Sequence, residues 1–430
     1  MNPLSQSIDL IGPDGSTIAD FLTGARSGNC LSETEAGYLL SRGYCFPSEG
    51  AESLLVNSVL SNDDGEETFS DFLIYPTFQC NFYCIYCYQK DKILTKKVIS
   101  RQYVDRAFGA IDRIRGSSQV TPLIYLFGGE PLLKGRRHED IIRYILSESR
   151  ARKFRTGIIS NGSNLKDYSG LLKSYGVEFV QVTLDGPRHF HDKRRIYVNG
   201  KGSFDDIVEG IEHIRDDVRI MVRINLDSQN IDSFPEIADV CGDYGWFRDD
   251  VTVFVGPYRD LLWDTYLYQM PEYLLLEKVF SFYEKYPLTR NIGLLGWPGV
   301  DYLFHFMKTR TLLPPRVRYC IANHGRFGFD PDGNIFACGN AAGREEFAIG
   351  TSYPDFILDR DRLDVWRKRR FTRHKKCRAC KLAFLCGGGC TLQSLLKYGG
   401  NMPYCPGIYE NMRVVLDHCL DQVAGDWDVL

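Results

Sequence analysis

Short apolar runs alternate with longer amphipathic segments through the middle of the chain. The runs are FLIYP (72–76), LIYLF (123–127), GIIS (157–160), FVQVTL (179–184), VRIMVRIN (218–225) and VTVFVG (251–256). Between them, segments 98–115, 138–150, 165–175, 203–215 and 233–243 repeat their apolar positions with helical spacing. Strand–helix alternation with crossovers of this length predicts an α/β fold with a parallel sheet and helices outside it. Six repeats fit a partial (β/α)6, TIM-like barrel; periodicity alone does not separate this from an open doubly wound sheet. Polar signatures follow the predicted strand ends: TFQCNFYC, GGEP, NG and DGP. Ligand sites of parallel α/β folds gather at that rim.

The pattern divides the sequence into a small N-terminal module (1–70), the barrel (71–257), a helical, aromatic bridging region (258–319) and a loop-rich, cysteine-rich C-terminal domain (320–430). In the first, Ser32 is the expected N-cap of a helix ending near Gly43, with Glu35 completing a capping box. A second helix is expected over Glu52–Val59. The acidic stretch 61–71 reads as a linker. The C-terminal domain is expected to be organised by metal rather than by a core.

Composition narrows the function classes. Lys+Arg number 52 against Asp+Glu 55, a net charge of −3, without the basic excess of a nucleic-acid-binding protein. Hydrophobic residues at 44% and charged residues at 25% exclude global disorder. No apolar run approaches the ~18 residues of a membrane helix. No basic flank precedes an apolar stretch at the N-terminus, so no secretion signal is read.

Fourteen cysteines are the outlier. In a long sequence without a signal, close-spaced cysteines read as metal ligands rather than as a disulfide scaffold. Cys80, Cys84 and Cys87 form a CxxxCxxC set directly after the first strand. Three local thiolates can hold a [4Fe–4S] cluster and leave one iron for a chelating substrate. A zinc site completed from elsewhere is the other reading.

With Tyr86 before the last cysteine, this segment resembles the radical S-adenosylmethionine (radical SAM) superfamily. Gly128-Gly129-Glu130-Pro131 resembles its GGEP segment, whose backbone reaches the SAM amino group. Ser160-Asn161-Gly162 resembles the segment after its third strand. Thr183-Leu184-Asp185-Gly186-Pro187, with His191-Asp192-Lys193-Arg194-Arg195, is similar to a longer subgroup motif. The resemblance implies a 5′-deoxyadenosyl radical from reductive SAM cleavage. It implies Tyr86 near the adenine, Thr183 near the ribose or carboxylate, and Arg195 on the carboxylate, which suits a planar guanidinium. Asn225 and Val255 lie at later strand ends, where the resemblance would have them line the adenine pocket; for Val255 core packing is the expected role.

The remaining spacing, Cys320, Cys338, Cys377-x2-Cys380-x5-Cys386-x3-Cys390 and Cys405, resembles the SPASM domain, supported by FDPDGNIFACG (329–339) and LCGGGC (385–390). The block 377–390 alone would also suit a zinc ribbon. The resemblance implies two auxiliary [4Fe–4S] clusters, three in all. Cys377, Cys380, Cys386 and Cys405 would hold the distal one, and Cys320, Cys338 and Cys390 the proximal one. The sulfatase-maturase version has a further cysteine about six residues after the first; IANHGRFG has none here. The fourth proximal position is left to His324, Cys419, a substrate thiolate or no ligand. Cys30, Cys45, Cys241 and Cys419 are left over and by default are expected to be buried free thiols, Cys419 being the one to test as a ligand. The basic run 367–370, with Arg373, Lys375 and Lys376, is expected to be a solvated helix face.

The expected function is a radical SAM peptide maturase that forms thioether or carbon–carbon crosslinks in a ribosomal peptide. The alternatives are an anaerobic sulfatase maturase, a small-molecule dehydrogenase, and an iron–sulfur electron carrier or zinc-stabilised binding module. Expected partners are a precursor peptide or protein, gripped in part by 1–70, and an electron donor such as flavodoxin or ferredoxin. Neither nucleic acid nor membrane is expected, and the compartment is a reducing cytoplasm. No residue stands out as general base.

Overall fold

The computed structural model describes residues 2, 4, 5, 7, 9, 16–23, 25, 30–65, 70–259 and 267–424. Six strands form a consecutive parallel series: β1 (Asp71–Ile74), β2 (Leu123–Leu126), β3 (Arg155–Ser160), β4 (Phe179–Thr183), β5 (Arg219–Leu226) and β6 (Val251–Pro257). They pair in sequence order, β1 with β2 through to β5 with β6. A doubly wound sheet would reverse its order at a switch point. Consecutive order with right-handed crossovers instead puts the helices on one face, as in a barrel wall.

The helices follow the apolar periodicity. Ser100 caps Arg101–Arg115 through the Tyr103 amide, and Gly116 ends it at a φ of 52°. Helix Leu165–Tyr175 stops at Gly176, whose left-handed conformation lets its N–H reach the last carbonyls. The strands supply the other half of the core. In β5, Ile220, Val222, Ile224 and Leu226 are buried on one face; Met221, Arg223 and Asn225 alternate onto the other. That second face carries the polar groups of the site.

The sheet runs on past both edges of the six strands. A short β7 (Gly293–Leu294), from the bridging region, adds to β6. At the other edge β8 (Arg326–Phe329) pairs in parallel with β1, followed by antiparallel β9 (Asn334–Phe336), β10 (Gly350–Thr351) and β11 (Ile357–Leu358). The C-terminal region therefore is not core-poor, as the sequence suggested. Phe327, Phe329, Phe336, Trp366 and Leu392 are buried in the same apolar cluster as Phe72 and Ile74 of β1.

At the N-terminus, helix Glu33–Ser41 has the Ser32–Glu35 capping box. The next helix runs Glu49–Gly65, longer than Glu52–Val59 and into the stretch expected to be linker. No proline interrupts 61–65, and Ser61 and Asn62 are exposed. Val59 and Leu60 pack on Val317, Phe371 and Ala383, so this helix lies on the C-terminal region. No helix among the described residues is long and apolar enough to cross a membrane.

Candidate active site and the C-terminal cysteine groups

The loop after β1 carries Cys80, Cys84 and Cys87. Its backbone is fixed independently of the sulfurs: Cys80 N–H donates to the Ile93 carbonyl (3.0 Å), Tyr83 to Ile196 (2.7 Å) and Ile85 to Arg194 (3.0 Å). Cys80 Sγ accepts from the Phe82 amide at 3.4 Å and weakly from Asn161 Nδ2 at 3.8 Å. Burial pushes the Cys84 thiol up to about 11; Cys87 adds to the rise and Arg195 opposes it. Cys80 is raised by burial and then by Cys84, and Cys87 by burial. Soft thiols set deep and within electrostatic reach of one another are costly as bare thiolates, and a positively charged iron–sulfide centre relieves that cost. The donor set fits a [4Fe–4S] cluster. Among the described residues no three His, Cys, Asp or Glu side chains gather tightly enough to hold a single metal ion.

The β2 rim explains its two glycines. A Cβ on Gly128 would lie 2.6 Å from the Thr77 carbonyl oxygen, and one on Gly129 would lie 2.2 Å from that of Phe78. Gly129 and Glu130 N–H groups donate to Thr77 and Gln79 carbonyls, locking this rim to the cysteine loop. The Glu130 carboxylate is fully buried and accepts from Leu132 N–H (2.8 Å), Ser160 Oγ (2.8 Å) and Asn161 N–H (2.6 Å). It ties the ends of β2 and β3 together. Asn161 in turn bonds Asn81 Oδ1 at 2.7 Å and holds Ser163.

Burial raises the Glu130 carboxyl to about 7 from 4.5, against those three donors. Between these values the folded protein holds a proton that the unfolded one has released. Its contribution to stability therefore falls as pH rises through this window and is flat above it. The pH dependence of denaturant unfolding of the apoprotein is expected to lose a component of about 3 kcal/mol in Glu130→Gln. Identical pH profiles for the two proteins would contradict this assignment.

A second network joins Tyr86 to the β4 and β5 rims. The Tyr86 hydroxyl donates to Asp185 Oδ2 and accepts from Arg195 (2.8 Å) and Asn225 Nδ2 (3.3 Å). Asp185 Oδ1 accepts the Asn225 amide at 3.0 Å. Arg194 lies over the Tyr86 ring and pairs with Asp227 at 2.6 Å. Tyr86, Asp185, Arg194 and Arg195 are all buried. Arg195 retains a buried Nε–H without an acceptor, the donor a ligand carboxylate would satisfy. Thr183 ends β4 in register with Arg223, nearly buried. Val255 is fully buried in the core. Asp185, Arg194, Asp227 and Asn230 were given no role by the sequence. Asn230, which bonds the carbonyls of Asp185 (2.7 Å) and Asn225 (2.8 Å), sits in no motif that would mark it beforehand.

In the C-terminal region the thiols separate into two neighbourhoods. Cys338 feels Cys390 and Cys320; Cys320 is raised to about 11 by burial and then by Cys390. Cys386, also raised to about 11 by burial, feels Cys405 and Cys377, and Cys377 feels Cys380 and Cys405. Asn323, buried, anchors the first group by bonding Thr391 Oγ1 (2.9 Å) and the Trp366 carbonyl (2.8 Å). The GGG turn stitches the two together. A Cβ on Gly387 would lie 2.3 Å from Arg318, and one on Gly389 1.7 Å from the Tyr404 carbonyl oxygen. Arg369, within electrostatic reach of Cys390 and Cys377, bonds Ser394 Oγ and the Gly400 (3.2 Å) and Met402 (3.1 Å) carbonyls. The basic run is solvated only in part: Lys368, which pairs with Asp364, and Arg373, Lys375 and Lys376 are exposed, while Arg369 is half-buried and Arg367 covers Phe327. His324 is half-buried; the Cys419 side chain lies outside the described residues.

Residues 74–241 match the Radical SAM superfamily. The protein has a radical SAM domain. The likeness of fold extends beyond that domain. The structure of anSMEcpe with bound AdoMet superposes with a TM-score of 0.64 over 83% of this protein and 98% of that one, at 17% identity. Streptococcus suis SuiB bound to precursor peptide SuiA gives 0.58 over 86% and 88%, at 15% identity. Fe-coproporphyrin III synthase of Methanosarcina barkeri is 27% identical over 38% of this sequence and 39% of its own length. The match spans about two fifths to a half of the length of the first curated relatives.

Proposed function

We propose that the protein is a radical SAM peptide maturase that abstracts hydrogen from a ribosomal peptide and forms a thioether or carbon–carbon crosslink. The observation that carries the reading is the junction at Tyr86: one residue links the cysteine loop to a carboxylate, a guanidinium and an amide at the β4 and β5 rims. Cys80, Cys84 and Cys87 are the proposed ligands of a [4Fe–4S] cluster, with Gly128, Gly129, Asn161, Thr183 and Arg195 around its SAM. When bound, that cluster supplies the electron that splits the SAM sulfonium into methionine and a 5′-deoxyadenosyl radical. Arg195 orients the SAM carboxylate with its spare N–H, and Tyr86, held by Asp185, fixes one wall of the adenine pocket.

Cys320, Cys338 and Cys390, and separately Cys377, Cys380, Cys386 and Cys405, are proposed to hold two auxiliary clusters. Arg369, near both groups, offsets the charge their thiolates add. The peptide reading is supported by the fold shared with SuiB, solved with its precursor peptide. A flavodoxin- or ferredoxin-like donor and a reducing cytoplasm go with it.

The test is anaerobic incubation of the reduced protein with SAM and a peptide encoded beside its gene. Crosslinking is expected to give deoxyadenosine and a peptide short of two hydrogens, with every residue retained. A peptide that instead reacts with a hydrazide probe would contain an aldehyde and assign the protein to formylglycine formation.

A further inference from the structure

Two arginines lie beside the Tyr86 network, and neither bonds Tyr86 or Asp185 directly. Arg223 shares the polar face of β5 with Asn225, and its Nε donates to Asn225 Oδ1 at 2.7 Å. That is the one hydrogen bond of this guanidinium among the described residues, and no carboxylate there lies within ion-pair distance of it. Its guanidinium extends over Gly256 of β6, where a Cβ would stand 3.0 Å from Arg223 Nη2 and 3.0 Å from the Leu295 carbonyl oxygen. The absence of a side chain at Gly256 gives the guanidinium its space. Arg259 arrives from the other direction and bonds the next carbonyl, Gly296, while Glu272 holds its Nε at 2.8 Å. Arg223 Nη2 and the Leu295 carbonyl thus both border the space over Gly256, one residue from the carbonyl that Arg259 bonds. Arg223 is lowered by burial and then by the charge of Arg259. Arg259 also lies within electrostatic reach of Cys390, so the pair stands between the Tyr86 junction and the first C-terminal cysteine group. The Arg259 side chain keeps 31% of its surface accessible.

Like charges brought together on a half-buried surface, one of them within reach of the Asp185 carboxylate but in no ion pair with it, are stabilised by an incoming anion. A planar fork selects carboxylate, with two parallel hydrogen bonds. We infer that Arg223 and Arg259 form a carboxylate-reading subsite that positions the substrate through an Asp or Glu side chain or a C-terminal carboxylate. This rests on the peptide-maturase reading and adds a specificity to it. The other carboxylate that could reach this pair is that of SAM.

The test uses the anaerobically reconstituted full-length protein on an array of random-sequence peptides, with SAM affinity measured in parallel by equilibrium dialysis. The wild type is expected to select peptides with an acid at one position or at the C-terminus. Arg223→Met is expected to bind the best of these about tenfold more weakly, and Arg223→Lys to recover part of the loss. Peptide capture without acid preference by the wild type overturns the subsite and spares the peptide reading; capture of no peptide sinks both. An Arg223→Met protein that keeps the acid preference, or that loses SAM affinity tenfold instead, also overturns it, the latter by assigning the pair to the cofactor's carboxylate. The wild-type selectivity needs no variant, so a misfolded Arg223→Met leaves the proposal exposed to refutation.

Discussion

Replacing Cys80, Cys84 and Cys87 together by alanine is expected to abolish release of 5′-deoxyadenosine and methionine from SAM while the iron of the C-terminal groups stays in place. Two arguments make this separable from unfolding. The loop is held by backbone bonds to Ile93, Ile196 and Arg194, none of which involves sulfur. The C-terminal thiols are fixed by other contacts, Asn323 to Thr391 and the glycine turn 387–389 among them. Iron analysis and chromatography of the reaction check both halves. Unchanged cleavage would remove the loop from the chemistry, and loss of all iron would show that the groups do not form independently.

The second large effect is expected at Asp185. Its carboxylate is fully buried and serves Tyr86, the Asn225 amide and Asn225 Nδ2, with Arg194 Nε at 3.9 Å. Asp185→Ala strips these donors of their acceptor in a place water does not reach, beside two buried arginines. Removing one member of such a network costs about 3–5 kcal/mol. Asp185→Asn keeps one acceptor and is expected to cost less. Denaturant unfolding of the two variants gives the difference. SAM affinity is expected to fall in the alanine variant, because Tyr86 loses the partner that fixes its hydroxyl against Arg195. A cost under about 1 kcal/mol with SAM affinity intact would mean that Tyr86 is positioned by other contacts.

Much of this architecture was legible along the sequence, for local reasons. The six parallel strands are apolar on both faces or cleanly alternating, and each lies within a residue or two of its run. The Ser32–Glu35 cap needs only a four-residue pattern. The rest is long-range. β8 is a short run, RFGF, whose partner β1 lies far back along the sequence, and β9 to β11 are shorter still. Such strands give no window in which a period can be seen. This is why the C-terminal region read as loops around metal although its aromatics finish the barrel's core. The same division runs through the site. Tyr86, Arg195 and the cysteines belonged to motifs with fixed spacing. Asp185 was quoted within one but acquires its role only when β5 brings Asn225 beside it, and the approach of Arg223 toward Arg259 depends on a glycine in a third element.

The most direct measurement is electron paramagnetic resonance of the anaerobically reconstituted, dithionite-reduced protein with and without SAM. An iron–sulfur signal that changes shape when SAM is added, and whose SAM-responsive part vanishes in the triple alanine variant, is the expected result. A protein that takes up zinc in place of iron, or a signal indifferent to SAM, would contradict the account.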